Sequence, residues 1–222
     1  MISEKEATIL RHSVRQYKDQ AIAQNVLDQI QEFIDTINKE NDFSFQVVTN
    51  DTKPFGFFAK YGSFKNASNY IAIIGPKGED VKVGYYMEKL VIYLQQLGLN
   101  SCICGLAVNK KKTGIDIKDG DEFFLNVCFG YGENQGRQHK DKPYDSLINV
   151  ESGTAPEWFV EGAKFALMAP TALNQQKFVF TYLANGHVKA ECKKGPYSKC
   201  DLGIVKYNFE VGAAPTQVIW EE

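Results

Sequence analysis

The hydrophobic and polar residues of this chain follow two periods, one typical of helices and one typical of strands. Apolar residues recur at helical spacing over residues 25–39 and again over residues 80–97, with charged and amide residues between them. Gly98 directly follows the second segment and is a typical residue for ending a helix. We therefore predict two amphipathic helices, each of which packs its apolar face on a hydrophobic core.

Strands are predicted where aromatic and β-branched residues are concentrated in short runs. The runs cover residues 43–49, 70–75, 122–130 and 178–183, and Asn185-Gly186 after the last run is typical of a hairpin turn. From Glu151 the order of elements begins again, with a helix that opens at Pro156 and a later helix over residues 201–212. The sequence therefore predicts an α+β protein.

Size and composition are those of an ordinary globular protein. The 222 residues, 44% of them hydrophobic and 23% charged, are enough to bury a core as one domain or as two packed halves. A net charge of −2 disfavours nucleic acid and anionic membranes as partners. The polar first residues, the lack of a long apolar run and an odd number of cysteines, five, predict a cytoplasmic protein with reduced thiols.

The first candidate site is the motif Arg11-His12-Ser13-Val14-Arg15. In an extended segment Arg11, Ser13 and Arg15 project to one side, because they occupy every second position. Guanidinium groups stay charged and offer a rigid fork of donors to phosphate, and the serine hydroxyl adds a short donor. The motif therefore predicts an anion cradle, although the same pattern also fits a solvated turn.

Two further motifs follow predicted helices. Residues 99–106 predict a short strand, with serine and cysteine in it, that is followed by a glycine, Gly105. Residues 169–178 contain Pro170, which ends a helix and frees the polar groups of Thr171 and Asn174. The second pattern also fits a helix-ending turn without a ligand.

Together these motifs resemble those of FMN-dependent nitroreductase-like proteins. The arginine motif resembles the one that opens the family, and residues 99–106 resemble its strand beside the reactive edge of the flavin. Residues 169–177 resemble the family's Ala-Pro-Ser-x-x-Asn-x-Gln-Pro, with Thr171 in place of Ser and Lys177 in place of the final Pro. Members often add a basic pair after the last core strand, and Lys140 and Lys142 are the candidates here.

The resemblance implies a fold of largely antiparallel sheets flanked by helices and an FMN-dependent NAD(P)H oxidoreductase. The flavin would carry the hydride chemistry, with no catalytic side chain, and NADH or NADPH would supply electrons for a nitro compound, a quinone or a similar small acceptor. The implied FMN-binding residues are Arg11, His12, Ser13, Arg15, Gly105, Leu106, Lys140, Lys142, Pro170, Thr171 and Asn174.

The spacing of the motifs departs from the usual pattern of the family. Arg11 and Pro170 lie 159 positions apart, whereas the corresponding motifs are close together in most members. Asp201-Leu202-Gly203 resembles the start of the family's central helix, and a counterpart occurs near Gly84. We therefore predict two related halves, residues 1–150 and 151–222, that form a pseudo-dimer around one flavin in a monomer or weak homodimer.

Other functions fit parts of the sequence. A non-catalytic flavin or nucleotide-binding protein would use the same cradle without turnover. A thiol enzyme would use Cys102, Cys104 or Cys128, but their apolar surroundings predict buried, inert thiols. The aromatic loop over residues 54–64 would either line a substrate pocket or hold itself to the surface.

Overall fold

A computed structural model of the protein describes residues 1–55, 64–105 and 115–221. The described helices are α1 Glu4–Leu10, α2 Gln24–Asn41, α3 Asp80–Gln96, α4 Glu157–Leu167 and α5 Ser198–Ala213. The described strands are β1 Gln46–Val48, β2 Tyr70–Pro76, β3 Asn100–Cys104, β4 Asp121–Gly130, β5 Ile148–Val150, β6 Phe178–Tyr182 and β7 Val188–Cys192. The long helices and strands predicted from the sequence are confirmed, with ends that shift by a few residues.

The strands form two sheets. The first has the order β1-β2-β4-β3, and all its neighbouring strands are antiparallel. The second has the order β5-β6-β7, in which β5 runs parallel to β6 and β7 runs antiparallel to it. The predicted α+β class with largely antiparallel sheets is therefore confirmed.

Contacts divide the chain into two compact units. Unit one comprises residues 1–3, 10–79 and 90–137, and unit two comprises residues 4–9, 80–89 and 138–222. The predicted halves, residues 1–150 and 151–222, are contiguous ranges that the sequence suggests are related to each other. The compact units are a different division, because they are defined by contacts and are not contiguous. The two related halves therefore stay a prediction.

Unit one is built on the four-stranded sheet. The middle of β2 is fully buried, as expected for an almost uninterrupted apolar run, and β4 is buried from Phe123 to Gly130. Helices α2 and α3 also contact each other in this unit, since Phe33 of α2 stacks on Tyr93 of α3 with ring centroids 4.0 Å apart. Phe55 and Phe64 of the aromatic loop pack beside this sheet, whereas Phe57, Phe58 and Tyr61 of that loop lie outside the described residues.

Unit two has an aromatic core between its sheet and helix α5. Phe209 of α5 packs against Phe159 of α4, Phe180 of β6 and Trp220, with ring centroids between 4.7 and 5.5 Å apart. Glycine at 162 leaves room for this cluster, since a Cβ there would lie 2.8 Å from the Phe209 ring. In the part of the chain that the structure describes, no helix is long and apolar enough to cross a membrane.

Candidate functional site

The arginine motif of unit one is an extended segment held beside strand β3. Ser13 forms a parallel bridge with Ser101, and the Val14 amide donates a 2.9 Å hydrogen bond to the Ser101 carbonyl. On the following residues, the Tyr17 amide donates to the Lys65 carbonyl and the Lys65 amide donates to the Arg15 carbonyl, each at 3.0 Å. Main-chain bonds on both sides therefore fix the path of the motif.

The positive charges of both arginines of the motif act on the pKa of the Cys102 thiol in β3. Arg11 is only 4% exposed, whereas Arg15 is exposed to solvent. A hydrogen bond with Cys104 and burial raise the pKa of the Cys102 thiol, and the charges of Arg15 and Arg11 oppose that rise. The charges of both predicted cations are therefore felt at β3, which ends one residue before the half-buried Gly105. Leu106 lies outside the described residues.

A glycine-containing segment after β4 packs on the arginine motif. The Glu133 amide donates to the Gln16 carbonyl, and the Lys18 amide donates to the Tyr131 carbonyl. Gly136 has a φ of +76°, and a Cβ on it would lie 2.6 Å from the Cβ of His12. This segment therefore shapes the motif from a second side, which the sequence did not indicate.

Asn126 is a residue of this region that the sequence reasoning missed. It lies on β4 opposite Cys104, and it is completely buried. Among the described residues, neither atom of its side-chain amide has a hydrogen-bond partner. An unpaired buried amide is unfavourable, so Asn126 is a candidate partner for a ligand, an ion or an ordered water.

The thiols near the motif are poor nucleophiles. The Sγ atoms of Cys104 and Cys128 lie 2.9 Å apart, and burial raises the pKa of both thiols. All five cysteines are free. Within the described ranges, no cluster of His, Cys, Asp and Glu has the arrangement of a metal site. The predicted burial of these thiols is confirmed, and it disfavours a thiol enzyme.

The second group of predicted residues lies in unit two, in the loop formed by residues 170–176 between α4 and β6. Three residues of this loop, Leu173, Asn174 and Gln176, have positive φ angles of 54°, 51° and 41°. Such angles are uncommon for residues other than glycine and cluster at functional sites. A hydrogen bond of 3.2 Å closes the loop, in which the backbone amide of Gln176 donates to the hydroxyl of the buried Thr171.

The predicted basic residues contact the same loop. The Asn174 amide nitrogen donates to the Lys140 carbonyl at 2.8 Å, and the Asn174 oxygen accepts from the Gln176 side chain at 3.2 Å. The Lys142 ammonium donates to the carbonyls of Gln175 and Gln176 at 2.7 and 2.9 Å. Lys140, Lys142, Thr171 and Asn174, predicted from distant motifs, therefore belong to one hydrogen-bonded cluster, with Pro170 at its start.

Asp201 in the first turns of α5 is the anchor of this loop that the sequence reasoning did not single out. Its carboxylate accepts hydrogen bonds from the Ala172 amide at 2.9 Å and from the Gln175 side chain at 2.7 Å. Burial raises the pKa of Asp201 to about 6, and these two bonds oppose the rise. The Asp-Leu-Gly motif was the available signal, but it indicated a helix start and not a loop contact.

The predicted residues thus form two groups, one in each unit. The group of unit one offers guanidinium charges, a hydroxyl and main chain at a glycine, which suit a phosphate and a flat ring. The group of unit two contains a hydroxyl and an amide, both of which make bonds within the cluster, and groups of this kind suit a ring edge with both donors and acceptors. The chemistry of both sets fits FMN.

Comparison with known proteins identifies the family of the chain. The model of a family described as "Putative TM nitroreductase" matches residues 4–213, so the chain belongs to this nitroreductase family. None of the curated proteins matches the chain.

Solved structures share the fold. A structure from Thermotoga maritima named a putative nitroreductase is 20% identical, with a TM-score of 0.69 over 95% of this chain and 83% of that one. A putative nitroreductase from Desulfovibrio desulfuricans, in complex with FMN, is 17% identical, with a TM-score of 0.53 over 70% and 99% of the two chains. A Bacteroides thetaiotaomicron protein named a putative NADH dehydrogenase/NAD(P)H nitroreductase is 14% identical, with a TM-score of 0.51 over 66% and 97%.

Proposed function

We propose that the protein is an FMN-dependent NAD(P)H oxidoreductase that reduces nitro compounds, quinones or similar small acceptors. The observation that carries this proposal is the docking of the arginine motif on β3, the strand that ends one residue before Gly105, through the Ser13–Ser101 bridge and the Val14–Ser101 hydrogen bond. Membership of the nitroreductase family supports it. FMN in the structure from Desulfovibrio and the name of the Bacteroides protein support the cofactor and the reductant.

Each residue group would have a separate part in flavin binding. When bound, FMN supplies the hydride chemistry. Arg11, His12 and Ser13 would bind the phosphate, and Arg15 would stabilise negative charge on the reduced ring. The main chain at Gly105 and Leu106 would donate to the ring. The group of unit two, namely Lys140, Lys142, Pro170, Thr171 and Asn174, would hold the phosphate or the ring edge.

The same proposal includes the cellular location, the oligomeric state and the kinetic mechanism of the enzyme. We propose a cytoplasmic location, since the five cysteines are free thiols. We also propose that the chain acts as a monomer with an internal pseudo-dimer or as a weak homodimer. The turnover would be ping-pong, in which the nicotinamide product leaves before the acceptor binds.

The test is reduction of FMN-loaded protein by NADH and NADPH, followed by reoxidation with a nitroaromatic compound and a quinone. We expect one nicotinamide to bleach the flavin band and at least one acceptor to restore it with turnover. If the flavin stays bound and neither nicotinamide reduces it, the proposed oxidoreductase activity is wrong and the protein is a non-catalytic flavin-binding protein.

Each residue group is tested by its own substitution. Arg11→Ala should weaken FMN binding by about tenfold or more, since it removes a charge-assisted contact of about 1.5–3 kcal/mol. Lys39→Ala, which removes an exposed cation of α2, is the matched control and should leave the affinity unchanged. Asn174→Ala should also weaken binding, whereas Asn149→Ala on the exposed β5 should not. Unchanged affinity in either site variant would remove that group from the site.

A further inference from the structure

We propose that Asp201 is a positioning residue, whose carboxylate holds the loop of residues 170–176 in the conformation that presents Thr171 and Asn174 to the flavin. The inference rests on the proposed function, because the flavin contacts belong to that proposal. Asp201 itself acts only through the loop.

The geometry of the carboxylate supports this role. Oδ1 of Asp201 accepts from the backbone of Ala172, and Oδ2 accepts from the side chain of Gln175. The two donors lie on either side of Leu173 and Asn174, so the carboxylate ties the chain on both sides of these two positive-φ residues to α5. The Gln175 amide nitrogen also donates to the Pro196 carbonyl at 2.7 Å, which joins the loop to the chain that enters the helix.

The loop needs such an anchor. Leu173 is 80% exposed, so its side chain provides little packing energy. A residue other than glycine at positive φ costs about 1 kcal/mol, and three such residues stand in this short segment. Hydrogen bonds therefore select the loop's conformation, and Asp201 supplies two of them.

A carboxylate suits this role better than a neutral side chain would. Its two partners are donors, and an ionised carboxylate presents acceptors on both oxygens. An amide at this position would have only one acceptor oxygen and would set its NH₂ group against one of the donors. The carboxylate is only 6% exposed, so its ionisation is unfavourable, and the two hydrogen bonds reduce that cost.

The experiment uses Asp201→Ala, Asp201→Asn and a matched control, Glu210→Gln. Glu210 lies on the same helix and also accepts two side-chain hydrogen bonds, from Tyr85 and Trp220, but it does not contact the loop. Hydrogen exchange of peptides covering residues 168–178 is measured without FMN, and FMN affinity is measured by quenching of flavin fluorescence. Circular dichroism establishes that each variant is folded.

We expect exchange in the loop to accelerate about tenfold or more in Asp201→Ala, because two hydrogen bonds of about 1 kcal/mol each are lost. FMN affinity should fall by a similar factor, with Asp201→Asn intermediate, while Glu210→Gln changes neither quantity by more than about twofold. If Asp201→Ala does not fold, Asp201→Asn decides the question, with faster exchange and weaker binding again expected.

Two results would overturn the proposal. One is loop exchange in the folded Asp201 variants that equals that of the parent. The other is faster exchange with unchanged FMN affinity. A parent that binds no FMN would instead overturn the proposed function and the flavin part of this inference, and the exchange data would still decide whether Asp201 fixes the loop.

Discussion

Gly84 of α3 and Gly203 of α5 mark a reciprocal crossing of the two helices within unit two. A Cβ on Gly84 would collide with the carbonyl oxygen of Cys200, and a Cβ on Gly203 would collide with the carbonyl oxygen of Val81. Cys200 and Val81 each stand three residues before the glycine of their own helix. The contact is therefore the same in both directions, as at a local two-fold axis.

This crossing gives a stability prediction. Gly203→Ala should lower the free energy of unfolding by about 3 kcal/mol, since a methyl group placed against the backbone of α3 forces the helices apart. Chemical denaturation measures the change. Lys199→Ala, at an exposed position on the same helix, is the control and should change stability by less than about 0.5 kcal/mol. A Gly203→Ala protein as stable as the control would refute the close crossing.

The reciprocal contact also bears on the predicted pseudo-dimer. The sequence prediction rested on the wide separation of the Arg11 and Pro170 motifs and on the likeness of the segments near Gly84 and Gly203, which are the segments that cross. The crossing supports two related halves, which stay a prediction.

Asp201 predicts a pH dependence of stability. Its pKa in the folded protein, about 6, lies above the ordinary value for an aspartate, so the folded state binds the proton more tightly than the unfolded state. The resulting stabilisation is fully present below about pH 4 and is lost as the pH rises through about 6. We expect the unfolding free energy of Asp201→Asn, relative to the parent, to increase by about 2–3 kcal/mol from pH 4 to pH 7 and then to level off.

Denaturation of both proteins at several pH values tests this dependence. The comparison with Asp201→Asn removes the contribution of groups that titrate in both proteins, among them Asp80 and Glu88 of α3, which act on the neighbouring Cys200 thiol. A difference that stays constant across this range would show that Asp201 is ionised in the folded protein as readily as in the unfolded chain.

The buried amide of Asn126 predicts an unusual substitution effect. Asn126→Leu should raise the free energy of unfolding by about 1 kcal/mol, because it removes polar atoms that have no partner among the described residues. Asn38→Leu is the matched control, since the Asn38 amide pairs with both the carbonyl and the amide of Phe45. The control should be less stable than the parent, and a loss of stability in both variants would contradict the prediction for Asn126.

Thiol reactivity tests the rival thiol mechanism. Cys192 is half-buried, whereas the other four cysteines are buried. An aromatic disulfide reagent should therefore modify one thiol per native chain and five in denaturant, and Cys192→Ser should leave none reactive in the native protein. Rapid labelling of Cys102, Cys104 or Cys128 would reopen the thiol mechanism, because it would show an accessible thiolate near the arginine motif.

The sequence predicted the elements better than it predicted the contacts. Helices α2 and α3 and strands β2 and β4 have strong periodicity over many residues, so their existence followed from the pattern alone. Strand β5 has three residues and pairs in parallel with β6, so no period could reveal it. Its pairing depends on the fold around it.

The candidate site shows the same limit. The residues of the arginine motif and of the 170–176 loop followed from local motifs. The contacts of Lys142 and Asp201 with that loop join positions more than 25 residues apart, and no local pattern encodes such pairs. Asn126 was missed because a single asparagine within an apolar strand carries no signal of its own.

Whether this chain binds FMN is decided by the visible absorption spectrum of the freshly purified protein. We expect flavin bands, with a ligand released by heat that has the mass of FMN. Protein that is colourless should acquire the bands when FMN is added and the excess is removed. A colourless protein that takes up no added FMN would contradict the account and leave the arginine motif without its proposed ligand.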